Sequence, residues 1–121
     1  WQMPQGGIDQ NETPLDAMKR ELAEETSITK IKILKEIKNC YEYELPPNLL
    51  GKIWKGRFRG QKQKWYIVRF IGKDSEINLN TANPEFIEWK WIDYKLLPEI
   101  IVDFKKDVYK KLKQEIQIFL I

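Results

Sequence analysis

A chain of 121 residues, 42% of them hydrophobic and with five each of Trp, Tyr and Phe, can supply one ordinary core, which argues against both a disordered chain and a pair of domains. The formal charge of +3 is too mild to mark a nucleic-acid binder unaided, and the lone Cys40 excludes an internal disulfide framework and a thiolate zinc cluster, in keeping with a reducing cytoplasm. With no histidine, Ser-His-Asp and Cys-His chemistry and every imidazole metal site are gone, so any catalysis must rest on carboxylates, Lys, Tyr or an oxygen-bound metal.

No basic stretch leads into an apolar one at the start, and no run approaches the roughly 18 apolar residues of a membrane span, so a soluble protein with no signal for secretion is expected. The chain opens at Trp1 without an initiator methionine, and residues upstream are expected to have been lost. Residues 2–11 hold Pro4, Gly6 and Gly7 among polar groups and read as a loop. Thr13 is a good N-cap, Pro14 suits the first helical position and Asp16 completes a capping-box pattern, which predicts a helix over residues 14–26. Leu15, Met18 and Leu22 give it an apolar stripe.

Ile31, Ile33 and Ile37 among lysines predict a strand, continued through Tyr41 and Tyr43 after a bend. Residues 45–60, with Pro46, Pro47, Gly51, Gly56 and Gly60, predict a long irregular excursion. Trp65, Ile67, Val68, Phe70 and Ile71 make residues 64–71 the clearest strand, and residues 86–92 predict another aromatic one. From Glu99 onward Ile101, Phe104, Val108, Leu112 and Ile116 keep a helical period, predicting one long C-terminal helix.

Chemistry gathers in Arg20-Glu21-Leu22-Ala23-Glu24-Glu25. At the helical repeat, Glu21, Glu24 and Glu25 fall within an arc of roughly 100°, so three carboxylates share one face beside the apolar stripe. Like charges four residues apart destabilise a helix by about 0.2–0.5 kcal/mol per pair, and the C-terminal half disfavours anions, so a cation should compensate. Mg²⁺ is a natural candidate, because hard cations take carboxylate oxygens and bridge them to phosphates. The bland alternative is a solvated acidic patch.

The wider spacing goes further. Gly6, five residues, Glu12, seven residues, then Arg20-Glu21-Leu22-Ala23-Glu24-Glu25-Thr26-Ser27-Ile28 resembles the Nudix box through its whole length, residues 6–28. One constrained position departs: Ser27 stands where the family usually has glycine, at the helix end where a left-handed residue caps, at a cost of about 1 kcal/mol. The resemblance implies an α/β (α+β) fold, the Nudix α/β/α sandwich around a mixed sheet, as a single domain over residues 1–121. It also implies that the family's N-terminal strands are missing here, which would leave the fragment unstable, self-assembled or inactive. By position it makes Glu21, Glu24 and Glu25 metal-binding carboxylates, gives Glu12 and Arg20 a scaffold role as an ion pair, and has the backbone near Gly6 complete the coordination.

Three segments narrow the resemblance to RNA pyrophosphohydrolases and dinucleoside polyphosphate hydrolases: Trp1-Gln2-Met3-Pro4-Gln5-Gly6-Gly7-Ile8, Gly60-Gln61-Lys62-Gln63-Lys64-Trp65-Tyr66 and Phe104-Lys105-Lys106-Asp107-Val108-Tyr109. Within that subfamily Glu85, after Pro84, would add a further metal ligand or take a proton from water, and Phe104 and Lys105 would meet nucleobase and phosphate; Tyr43 and Gln61 are further cleft candidates. Lys52, Lys55, Arg57, Arg59, Lys62 and Lys64 place six cations in thirteen residues, interleaved with Trp54, Phe58 and Trp65, a mixture suited to an RNA 5′ end. The expected enzyme is a cytoplasmic bacterial one, Mg²⁺-dependent with Mn²⁺ as a substitute. It would cut 5′-triphosphorylated RNA to start mRNA decay, with no membrane or DNA partner. The alternatives are a dinucleoside polyphosphate hydrolase and an inactive RNA-binding fragment.

Overall fold

The computed structural model describes residues 1–44, 46–47 and 60–121. The chain divides into two compact units, one of residues 3–36 and 66–91, the other of residues 1–2, 37–65 and 92–121. Most of the predicted excursion, with Lys52, Lys55, Arg57, Arg59, Trp54 and Phe58, lies outside the described residues, as does the Gln61 side chain. Helices combine with small antiparallel sheets, in keeping with the α/β (α+β) class.

In the first unit, helix α1 spans Pro14–Thr26. The Thr13 hydroxyl accepts the Asp16 N–H at 3.1 Å, and Pro14 begins the helix where no N–H is needed. Ser27 ends it in the left-handed region, φ 66°, its N–H donating to Ala23 O at 2.9 Å and its hydroxyl to Asn78 O at 2.9 Å. The predicted stripe is shallower than its spacing suggests: Ala17 and Thr26 are buried, while Leu15, Met18 and Leu22 are half-buried. Strand β1 (Ile31–Glu36) pairs antiparallel with β4 (Tyr66–Phe70), with a register shift between Ile33 and Lys35.

The strand predicted over residues 86–92 does not form. Its rings are engaged sideways instead: Trp91 stacks on Phe70 with centroids 6.0 Å apart, donates its indole N–H to Asp74 at 3.1 Å and meets Trp89 edge-on, while Ile87 is almost fully exposed. Ring stacking needs no backbone ladder, so the aromatic pattern was satisfied without a strand.

In the second unit, β2 (Tyr41–Glu44) pairs antiparallel with β3 (Gly60–Gln63), and β2 alternates buried Tyr41 and Tyr43 with exposed Glu42 and Glu44. Helix α3 (Lys106–Leu120) covers this pair, burying Val108, Tyr109 and Leu112, and Trp65 meets Tyr109 edge-on at 6.0 Å. The C-terminal helix is two pieces rather than one. A short α2 (Leu97–Ile100) ends where Ile101 and Val102 turn extended, and a 3₁₀ turn at Asp103–Lys105 then leads into α3. Ile101 buries itself in that extended form, so the apolar period crosses the break without registering it.

Candidate active site

Arg20, in the middle of α1, gathers the acidic groups around it. Its Nε and Nη2 donate to the two carboxylate oxygens of Glu12, at 2.8 and 2.9 Å, a bidentate pair that ties the preceding loop to the helix. Nη1 donates to Glu21 at 2.7 Å and to Glu24 at 3.2 Å; Nη2 also reaches Gly7 O at 2.9 Å and lies 3.4 Å from Asp9. Hydrogen bonding from Arg20, helped by the Asp9 N–H, holds the Glu12 carboxyl down to about 2.

Glu25 faces the other way and is 3% exposed. Its Oε2 accepts the Gln5 N–H at 3.1 Å. Burial, then the charge of Glu85, pushes its carboxyl up to about 8; the charge of Glu21 and a hydrogen bond with Glu85 add to the rise. Glu21 lies so close to Gly6 that a Cβ there would fall on its side chain, so glycine is what admits the carboxylate.

Among the described residues no three Asp, Glu, His or Cys side chains gather into a ready cation site. The expected trio on one helix face is divided: the Arg20 guanidinium draws Glu21 and the exposed Glu24 to itself, while Glu25 sits with Gln5 and Glu85. Sequence reasoning placed Gln5 and Gly7 in the segment that marks the subfamily but assigned no contact to them or to Asp9, which act through backbone groups or as a rim charge.

In the second unit, Tyr43 is buried and Phe104 half-buried, with ring centroids 5.5 Å apart. Lys105 is also buried; its Nζ donates to Gln2 Oε1 at 3.2 Å and lies 5.2 Å from the Tyr43 centroid, and burial lowers its pKa. Lys62 is exposed on β3.

A model of the NUDIX domain matches residues 1–112. The chain belongs to the Nudix hydrolase family. It is 55% identical over 117 residues to the RNA pyrophosphohydrolase of Pelagibacter ubique, covering 97% of this chain and 74% of that one. It is 47% identical over 119 residues to the RNA pyrophosphohydrolase of Bartonella henselae, covering 95% and 69%. The corresponding figures for that of Rhodopseudomonas palustris are 49% over 119 residues, covering 95% and 68%.

Nudix hydrolases generally use divalent metal ions, and the residues of this Nudix domain suit one. The candidate donors, the glutamate carboxylates and the backbone near Gly6, all offer oxygen, as a hard cation requires. The buried Glu25, with Glu21 and Glu85 pressing their charge on it, marks a spot where positive charge would relieve repulsion. Among the described residues no helix is long and apolar enough to cross a membrane.

Proposed function

We propose that this Nudix hydrolase removes pyrophosphate from the 5′-triphosphate end of RNA, leaving a monophosphorylated end and so starting mRNA decay in a bacterial cytoplasm. The similarity to relatives that carry that name, up to 55% over 97% of the chain, supports the substrate. The observation that carries the chemistry is the buried Glu25, crowded by the charges of Glu85 and Glu21, where a divalent cation facing a polyphosphate would relieve the repulsion.

In this proposal Glu21, Glu24, Glu25 and Glu85 hold Mg²⁺, with Mn²⁺ able to replace it and the backbone at Gly6 adding a ligand. When bound, the ion neutralises the phosphate oxygens and acidifies the attacking water. Glu85, hydrogen-bonded to Glu25, takes the proton from that water. Glu12 and Arg20 hold the loop of residues 2–11 onto α1, keeping the Gln5 N–H on Glu25 and Gly6 against Glu21. Phe104 receives the first nucleobase, Lys105 and Lys62 meet phosphate, and Tyr43 and Gln61 complete the contacts.

The test is pyrophosphate release from 5′-triphosphate RNA with and without Mg²⁺, for the wild type and for Glu25→Gln. Glutamine keeps the shape of the buried side chain and its neutral form, so the variant should fold with an unchanged melting temperature and lose turnover. Near-normal release by the variant would remove Glu25 from the metal site. Preference for diadenosine tetraphosphate in competition with triphosphorylated RNA would move the substrate to dinucleoside polyphosphates, and RNA binding without Mg²⁺-dependent release would leave a non-catalytic binder.

A further inference from the structure

Two grooves flank α3 in the unit that contains it. One, of about 630 Å³, is walled by Lys38, Tyr41, Lys62, Lys111 and Glu115. The other, of about 520 Å³, is walled by Lys95, Glu99, Lys106, Lys110 and Lys113. Gln114 lines both, so the grooves meet across the exposed ridge of the helix. Together they hold seven lysines against two glutamates, a surplus of five positive charges, where the whole chain has a surplus of three. The two grooves thus carry more net positive charge than the chain as a whole, which concentrates a positive field along α3.

Those lysines are poorly compensated. Lys106, Lys110 and Lys113 recur at spacings of four and three on one helix face, a like-charge run that works against the helix, and Lys106 stands at the N-terminal end where the dipole disfavours cations. Among the described residues the ion pairs of this run are confined to Lys106 with the fully exposed Asp103, at 3.7 Å. In the other groove Glu115 accepts the Tyr41 hydroxyl at 3.2 Å, and Lys111 Nζ lies 5.5 Å from the centroid of the Tyr41 ring. A polyanion laid along the ridge would relieve the repulsion among Lys106, Lys110 and Lys113.

We infer that the two grooves flanking α3 bind the sugar-phosphate backbone of single-stranded RNA without regard to its sequence, an inference that rests on the RNA substrate proposed above. Lysine ammoniums meet phosphates as point charges, and the amides of Gln114, Gln117 and Asn39 can bridge ribose hydroxyls. An acidic protein fits less well. A protein interface needs buried apolar or aromatic anchors, and the apolar groups here are limited to Cys40 and Ile118 in one groove and Pro98 in the other, with Tyr41 packed inward.

The experiment measures the affinity of wild type and of the triple variant Lys106→Gln, Lys110→Gln, Lys113→Gln for an unstructured RNA oligonucleotide over a range of salt concentrations, with circular dichroism melts of both. A second variant, Lys110→Glu with Lys113→Glu, spares the Lys106–Asp103 pair and serves if the triple change disturbs folding. Three lost phosphate contacts at about 0.7 each should flatten the slope of log Kd against log salt by about 2 in the triple variant. The KM for 5′-triphosphate RNA should rise while kcat holds. Equal slopes and equal KM in folded variants would overturn the inference, and an acidic-protein site would show itself in that way. If wild type binds RNA with the steep slope yet releases no pyrophosphate, the substrate proposal fails and the grooves stand. If wild type releases pyrophosphate and the variants bind RNA as it does, the substrate proposal stands and the grooves fail.

Discussion

Replacing Gly6 with alanine isolates the close approach between the loop and Glu21. The Gly6 backbone lies outside the left-handed region, so alanine is conformationally acceptable there. Its Cβ, however, would meet the Glu21 Cγ, Cδ and Oε2. Because Cγ is among the atoms met, the tip cannot simply bend aside; Glu21 must leave its rotamer and carry its carboxylate away. Arg20 then loses its 2.7 Å bond to Glu21 but keeps Glu12, Glu24 and Gly7 O. Losing one partly exposed ion pair should move the melting temperature by about 5 °C or less. Displacing a group that positions substrate by even 1 Å can lower turnover by about 100-fold, and that is the fall expected in kcat/KM for pyrophosphate release. Gly7→Ala is the control, since a Cβ at Gly7 meets nothing within 4 Å; it should keep wild-type activity and gain stability of at most about 0.4–1 kcal/mol. Equal activity of the two alanine variants would refute the claim that Gly6 exists to admit Glu21.

Glu12→Gln tests the clasp through its pH dependence. The fold holds this carboxyl at about 2 against an ordinary 4.5, so between those values the unfolded chain binds the extra proton; the stabilisation is complete above about 4.5 and drains away as pH falls toward 2. Thermal melts should show the variant less stable at pH 7 and the gap narrowing steadily below pH 4.5; a gap independent of pH would assign the effect to packing. At the helix end, Ser27→Gly removes a left-handed serine worth about 1 kcal/mol of strain but also the hydroxyl bond to Asn78 O, worth about 0.5–1.5 kcal/mol, so urea unfolding should find it near wild type. Ser27→Ala keeps the strain and loses the bond, and should be the weakest of the three; an alanine variant as stable as wild type would deny the bond its role.

Local signals were legible and long-range ones were not. The start of α1 follows from Thr13, Pro14 and Asp16, because capping is settled within a few residues. Strands β1 and β4 follow from their β-branched and aromatic residues. Strand β3 has no such residues: Gly60–Gln63 is polar and becomes a strand because Tyr41–Glu44, far back in the chain, offers it a ladder. The break at Ile101 was hidden because Ile101 and Phe104, three apart, fit a helix or an extended turn equally well. At the site, spacing singles out Glu12, Arg20 and the glutamates of α1. It says nothing of the Gln5 N–H or the Gly7 carbonyl, since backbone groups carry no letter in the sequence.

Arg20 also explains why one glutamate of α1 differs from the others. Its donors go to Glu12, Glu21, Glu24 and Gly7 O, and those contacts all lie toward the loop and the exposed side of the helix. Glu25, next in sequence to Glu24, is turned about 100° further round the helix and into a buried place, where the Gln5 N–H and Glu85 meet it in place of the guanidinium. The charge of α1 is thus compensated at one end of its acidic arc and concentrated at the other. Adjacent glutamates acquire opposite surroundings, one solvated and paired, one buried and crowded by like charge, and the second is where a divalent cation would gain most.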